Sequence, residues 1–81
     1  MNKYDIVEVT WFDAQSSMNS FTIKEVIEEL RPLYTKSCGY LINKNKESVI
    51  LGFMIFGDEI VKHHQCIPQG MIQNIKVIKK K

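Results

Sequence analysis

The stretch Ser48-Val-Ile-Leu-Gly-Phe-Met-Ile-Phe56, followed by Gly57-Asp58 and then by Glu59 to Ile67, decides the fold of this chain. Positions 48–56 form a short run rich in β-branched and aromatic residues, which is typical of a strand buried on both faces. Gly57-Asp58 is a two-residue hairpin signal. Gly52, near the middle of the run, would allow a sharp bend of the kind found at the corners of small barrels. We therefore expect an antiparallel hairpin whose first strand is bent.

Two more strands are predicted before this hairpin and one after it. They cover Ile6 to Phe12, Lys36 to Ile42 and Ile72 to Ile78, where apolar and β-branched residues alternate with polar ones or form short runs. Leu33 to Thr35 is predicted to be a linker that precedes the second strand. Gly39 interrupts that strand and indicates a bulge, or a close approach by another backbone or a ligand.

One helix is predicted between the first two strands. Thr22-Ile-Lys-Glu25 fits a capping box, in which the Thr22 hydroxyl and the Glu25 carboxylate each accept a backbone amide. Pro32 disfavours helical geometry at the residue before it and ends the helix near there. Because a helix of about nine residues is marginal alone, we expect it to pack on the sheet. Its apolar stripe has helical spacing and consists of Ile23, Val26, Ile27 and Leu30.

Five short strands and one inserted helix, without βαβ alternation, predict a mainly β antiparallel fold. A small five-stranded half-closed barrel, SH3-like or Sm-like, would hide most strand edges and suit a small core. The 81 residues predict a single domain over positions 1–81, with positions 79–81 a frayed basic tail. A chain of this size buries only about 60% of the surface that its unfolded state exposes, so association with other copies would add stability.

Charge and cysteine content narrow the class of protein. The formal net charge is +2, but Lys79, Lys80 and Lys81 supply three positive charges, so the remaining residues carry −1. This balance disfavours a general nucleic-acid binder, which needs a basic face. The two cysteines are too few for the disulfide framework of a small secreted domain. Charged residues interrupt the first nine positions, and no apolar run approaches the roughly 20 residues of a membrane helix, so we expect a cytoplasmic protein.

Neither a metal site nor a catalytic site is predicted. His63, His64 and Cys66 lie close together in sequence, but Cys38 has no second ligand near it, which is poor spacing for structural zinc. Both cysteines are predicted to be buried in strands. The chain has no G-x-S-x-G elbow and no glycine-rich phosphate loop. We therefore expect a protein that is not an enzyme and needs no cofactor.

The most informative polar cluster follows the first strand. Trp11 precedes Asp13, Ser16 and Ser17, and an aromatic ring can stack on a base while carboxylate, hydroxyl and amide groups bind ribose or phosphate. The competing interpretation is that Trp11, in register with Val7 and Val9, belongs to the core. The loop from Asp13 to Ser20 is more polar than a simple connection requires, and loops often carry function.

Three landmarks, taken in order, resemble a group of small phage and prophage proteins. They are Val9-Thr-Trp-Phe-Asp-Ala-Gln-Ser-Ser17, Ser37-Cys-Gly-Tyr-Leu-Ile42 and Ile67-Pro-Gln-Gly-Met-Ile-Gln-Asn-Ile75. Together they cover nearly the whole chain. One departure is Phe21, since the family often has a tryptophan shortly after the serines.

The resemblance implies a phage-encoded accessory protein that acts in the host cytoplasm. Several small oligomeric phage proteins sequester the cyclic nucleotides or cyclic ADP-ribose derivatives that bacterial defence systems use as signals. We therefore expect a non-enzymatic anti-defence sponge, assembled as a homo-oligomer that encloses its ligand between subunits. In this interpretation His64 meets a phosphate across a subunit boundary. The residues assigned to the ligand are Trp11, Asp13, Ser16, Ser17, Ser37, Tyr40 and His64.

Two other functions are consistent with the same sequence. One is a protein-binding module that blocks a host or defence protein through an exposed edge of the sheet. The other is an Sm-like RNA-binding ring, which the near-neutral body of the chain disfavours. The three functions differ in what would co-purify with the protein: a small nucleotide, a stoichiometric protein, or RNA that is lost steeply as salt is added.

Overall fold

The computed structural model describes residues 3–14 and 20–81, which form one antiparallel sheet and one helix. The strands lie in the order β4-β3-β2-β1-β5, so β4 and β5 are the two edges. The expected mainly β fold with five antiparallel strands and one helix is confirmed. The elements are β1 (Ile6–Asp13), α1 (Ile23–Glu29), β2 (Leu33–Lys44), β3 (Ser48–Phe56), β4 (Ile60–Pro68), a 3₁₀ turn (Gln69–Met71) and β5 (Ile72–Lys79).

The β3–β4 hairpin forms where its sequence predicts it. Gly57 and Asp58 have φ angles of 58° and 62°, and the Glu59 N–H donates to the Phe56 carbonyl oxygen at 3.2 Å. Two successive positive φ angles define the turn type that suits the right-handed twist of paired strands. The bounds of β3 agree with the predicted strand.

The start of β2 differs from its prediction. Leu33 to Thr35, expected to be a linker, belong to the strand and pair with Asp13 to Trp11 of β1. The rings of Phe12 and Tyr34, which face each other in this ladder, meet edge to face with centroids 5.8 Å apart. An aromatic cross-strand pair of this kind stabilises a ladder and extends it beyond the clear alternation of the sequence.

Two glycines mark the point where β3 leaves β2. Tyr40 pairs with Gly52, and β3 residues after Gly52 pair only with β4. A Cβ atom on Gly39 would lie 2.9 Å from the carbonyl oxygen of Gly52, and one on Gly52 would clash with the Cγ2 of Val61. The close backbone approach predicted at Gly39 is confirmed, and the approaching backbone is that of Gly52, where β3 leaves β2.

The link between β4 and β5 requires the sheet to curl. In a flat five-stranded sheet the two edges would lie about 19 Å apart, at about 4.8 Å per strand. The three residues Gln69–Met71 join these edges as a 3₁₀ turn, which rises only about 2 Å per residue. The edges must therefore approach each other at this end. They do not pair, however, so the sheet is curled but open and the expected barrel is not confirmed.

The concave inner face of the curled sheet carries a single small core. Its buried side chains come from β1, β3 and β4, and they alternate along each strand with less buried residues. Three half-buried residues, Leu41, Ile72 and Ile75, pack against them. The core itself consists of Val7, Val9, Trp11, Val49, Leu51 and Ile67.

Helix α1 begins as predicted but does not pack on the sheet. The Glu25 N–H donates to Thr22 Oγ1 at 3.2 Å and the Thr22 N–H donates to Glu25 Oε1 at 3.4 Å, which completes the capping box. No helix residue is buried, and Ile23 and Ile27 are 81% and 70% exposed. The expectation of helix packing is wrong because α1 lies in the connection beyond the last β1–β2 pair, past the end of the sheet.

Replacing Gly39 with Ala tests the close approach of the β2 and β3 backbones. The added methyl group meets the backbone of Gly52, so we expect the free energy of unfolding to fall by about 1–3 kcal/mol. Gly70→Ala is the matched control, because nothing lies within 4 Å of its Cβ position, and it should leave stability unchanged or raise it by less than about 1 kcal/mol. Urea unfolding followed by Trp11 fluorescence measures both. Equal stabilities for the two variants would contradict this close approach.

Candidate functional site

Trp11 and Ser37 come together on the inner face. Ser37 lies opposite Val9, so it shares the face of the core, and the Trp11 Nε1–H donates to Ser37 Oγ at 3.1 Å. Trp11 is only 6% exposed and belongs to the core, which confirms the competing interpretation of this residue. Because its indole ring is enclosed, Trp11 can orient Ser37 but cannot stack on a ligand without leaving the core.

The hydrogen bond from Trp11 leaves Ser37 ready to donate. A serine hydroxyl has one proton and two lone pairs, and here one lone pair is taken by the indole N–H. The proton of the half-buried Ser37 hydroxyl is thus available to an acceptor such as a phosphate or carbonyl oxygen. The contact fixes the oxygen of Ser37 on the inner face.

Asp13 lies close to this pair in the strand register. It is the last residue of β1, is half-buried and pairs with Leu33, two residues along the strand from Trp11 and on the same face. The remaining two members of the predicted cluster, Ser16 and Ser17, lie outside the described residues. Trp11, Asp13 and Ser37 thus share the inner face, but only Trp11 and Ser37 are in contact, and Asp13 lies four register positions, about 13 Å, from Ser37.

Tyr40 and His64 lie on the opposite, outer face. Tyr40 and His64 both pair with Gly52, which alternates with the inner residue Leu51. Tyr40 also pairs with Ile6. Within one chain, therefore, the predicted ligand residues that the structure describes form two groups on two faces rather than a single site.

The outer face holds a row of residues that crosses all five strands. The pairing register connects His64, Gly52, Tyr40, Ile6 and Lys79 in that order. At about 4.8 Å per strand, Tyr40 lies about 10 Å from both His64 and Lys79 along this row. Imidazole, phenol and ammonium groups all donate hydrogen bonds to anions, so the row has the chemistry of a phosphate-binding surface.

Gln65 is a candidate that the sequence reading missed. It pairs with the core residue Leu51, which places it on the inner face, and its Oε1 atom is buried without a hydrogen-bond partner among the described residues. An unpaired buried amide oxygen costs about 1–3 kcal/mol, so a donor from a ligand or another chain would bind it favourably. The sequence did contain a signal for Gln65: it lies two positions before Ile67 in the same strand, so it shares the inward face, where an apolar residue is expected.

The histidine and cysteine segment shows no metal geometry. Within residues 3–14 and 20–81, no three His, Cys, Asp or Glu side chains cluster as metal ligands would. Cys38 and Cys66 are exposed free thiols, so the expectation that both are buried is wrong. Each occupies a strand position that faces away from the core. His63 has a φ of 57°, a left-handed conformation that costs a residue other than glycine about 1–2 kcal/mol.

Two open depressions in the described surface are small and lie away from the predicted ligand residues. One, of about 110 Å³, is lined mainly by the β3–β4 hairpin and includes Ile55 and Val61. The other, of about 210 Å³, lies between Tyr4, Leu41 and Lys81. Pockets that enclose a small organic ligand usually measure about 300–1,000 Å³. Neither depression could enclose a nucleotide by itself.

Comparison with known proteins gives no match: no family model, curated protein or solved structure matches the chain. In the described segments, no helix combines the length and apolar character needed to cross a bilayer. The site must therefore be interpreted from its own geometry.

A double-mutant cycle tests the contact between Trp11 and Ser37. Ser37→Ala leaves the buried indole N–H without an acceptor, and we expect the free energy of unfolding to fall by about 1–3 kcal/mol. Trp11→Phe removes the donor, so adding Ser37→Ala to it should cost much less than Ser37→Ala alone. Urea unfolding followed by far-UV circular dichroism measures all four proteins. Additive losses would show that the hydrogen bond contributes nothing.

Proposed function

We propose that this protein is a non-enzymatic binder that sequesters a nucleotide-type signal at interfaces between its own copies. The resemblance to phage accessory proteins suggests a cyclic nucleotide or cyclic ADP-ribose derivative as the ligand. The observation that carries the proposal is the division of the candidate groups between two faces of one chain. A ligand could meet both groups only where two copies adjoin.

Each face offers part of what a nucleotide needs. On the inner face, Ser37 can donate to a phosphate or carbonyl oxygen and the Asp13 carboxylate can accept from ribose hydroxyls. On the outer face, Tyr40, His64 and Lys79 present donors suited to phosphate. Together, the two sets could bind the phosphate and the ribose of one nucleotide.

The need for enclosure also favours an interface. Sequestration requires slow release, and slow release requires that most of the ligand surface be buried. The depressions in the described surface are too small for this. Many large apolar side chains are exposed, including Phe56, Ile60 and Tyr34, and contact between copies would cover part of that surface.

A second candidate function is supported by the open sheet. Both β4 and β5 are edge strands with unpaired backbone groups, and an edge can add a strand from a partner protein. In that case the protein would be an inhibitor module that blocks a host or defence protein. An SH3-like or Sm-like shape is consistent with both functions, because the curl brings the two edges together at the 3₁₀ turn.

Ligand uptake tests the proposed function. The purified protein is incubated with a panel of cyclic dinucleotides, cyclic trinucleotides and cyclic ADP-ribose derivatives, separated from free ligand and heated. We expect one class to be retained and then released intact. No uptake across the panel would contradict sequestration, and recovery of a cleaved product would contradict a non-enzymatic role. Co-purification of one stoichiometric host protein instead would favour the inhibitor module.

Replacing Asp13 with Asn locates the site. The change removes a charge from the inner-face group, and we expect uptake to fall at least tenfold while the unfolding midpoint stays within a few degrees. Asp58→Asn is the matched control, because Asp58 lies exposed in the hairpin turn and Asn accepts its positive φ. Uptake by both variants equal to that of the native protein would show that Asp13 is not a ligand residue.

A further inference from the structure

We propose that α1 of one copy lies along the β5 edge of a second copy. The inference takes from the proposed function only that copies associate, and it does not depend on the identity of the ligand. It rests on the exposure of the helix, the exposure of the edge, the charges of both, and their positions in the fold.

Helix α1 has an apolar stripe that is mostly exposed among the described residues. Ile23 and Ile27 are largely exposed and Val26 is also exposed, although their spacing is that of a face made to be buried. A seven-residue helix has little stability of its own, because its nucleation cost is recovered only over a longer helix or by packing. A partner surface is therefore needed to stabilise it.

The β5 edge also lacks a surface that covers it. Val77 and Ile78 are 45% and 51% exposed, and the edge of β5 that points away from β1 has no neighbouring strand. An uncovered apolar edge invites uncontrolled association, and covering it with a helix is one of the ways proteins protect it. The stripe of α1 offers apolar side chains of suitable size.

Charge favours β5 over the exposed apolar tip of the β3–β4 hairpin as the partner of α1. The helix carries Glu25, Glu28 and Glu29 against the single Lys24. The end of β5 and the residues after it carry four lysines: Lys76, Lys79, Lys80 and Lys81. These opposite charges attract, and they also favour rapid encounter.

The tip of the β3–β4 hairpin is the competing surface. It exposes Phe56 and Ile60, but Asp58 and Glu59 lie between them and would repel the acidic helix. Repulsion of this kind discriminates between surfaces that are similarly apolar. The hairpin tip is thus the poorer partner for α1.

The fold places the helix and the β5 end at opposite ends of β1. The connection that contains α1 leaves β1 after Asp13, whereas Val77 pairs with Val7, about 20 Å away along the strand. The helix therefore meets this part of β5 in a second copy. Such a contact joins two different surfaces, so it repeats from copy to copy and closes a ring if the rotation allows.

This arrangement would also bring part of the inner-face group closer to the outer row. Lys79, at the docking edge, belongs to the same outer row as Tyr40. Asp13 lies at the end of β1 from which the chain continues to α1, whereas Ser37 lies opposite Val9, near the middle of β1. Docking α1 beside Lys79 would bring Asp13 of one copy nearer to the outer row of its neighbour.

A mixing experiment tests the contact without any ligand. The helix variant is Ile27→Lys with Glu29→Lys, and the edge variant is Ile78→Glu with Lys79→Glu. All four positions are exposed, so both variants should still fold. Circular dichroism checks that they do. We expect light scattering on a sizing column to show an assembly for the native protein and a single chain for each variant alone. Mixed in equal amounts, the variants should form a heterodimer, because each retains the surface that the other lacks.

Four outcomes would overturn the proposal. They are a native protein that is a single chain, variants that keep the native mass, a mixture that stays monomeric, and loss of the assembly in Phe56→Lys. Phe56→Lys is the hairpin control, and it should keep the native mass. Ligand uptake is measured separately on the native protein. Absence of uptake with the mixing result intact would reject the proposed function alone, and uptake without complementation would reject only this interface.

Discussion

The close approach of the β2 and β3 backbones at Gly39 and Gly52 is the constraint on which the rest of the structure depends. The Cβ position of Gly39 lies within 3 Å of the Gly52 carbonyl oxygen, so no larger side chain fits there without moving the backbone. Beyond this point β3 follows β4 alone and the sheet curls. The curl lets a three-residue turn join the two edge strands, and it collects the core on the concave face.

A fold built this way leaves much apolar surface uncovered. Its core contains few side chains, while the helix stripe, the β5 end and the hairpin tip all expose large apolar residues. A small domain gains little stability from its own core, so each uncovered surface is a place where another copy could add stability. Stability and ligand enclosure would then come from the same contacts between copies.

Short sequence motifs predicted the features that depend on contacts between residues close together in the chain. The capping box at Thr22 and the turn at Gly57-Asp58 depend on residues within a few positions of each other, and both form as expected. The steric need for glycine at Gly39 was also predictable. Pairing was harder: the start of β2 at Leu33 depends on an aromatic contact between two strands that are distant in sequence.

The candidate site could be predicted only in part. Alternation placed Trp11 in the core, and the register confirms that Ser37 lies beside it. The separation of Tyr40 from Ser37 was predictable, because two residues three positions apart in one strand lie on opposite faces. Which of those faces packs on the core is what no single strand reveals. The exposure of α1 was likewise unpredictable, because an apolar stripe indicates burial without indicating which surface covers it.

If contact between copies covers surfaces that the single chain leaves exposed, the backbone amides of α1 should report it. A seven-residue helix without packing should exchange its amide hydrogens at nearly the rate of an unfolded peptide. Hydrogen exchange read by mass spectrometry on the Ile23–Glu29 segment, at a series of protein concentrations, measures this protection. We expect slow exchange at high concentration and fast exchange on dilution to the monomer. Fast exchange at every concentration, in a protein that remains assembled, would contradict it.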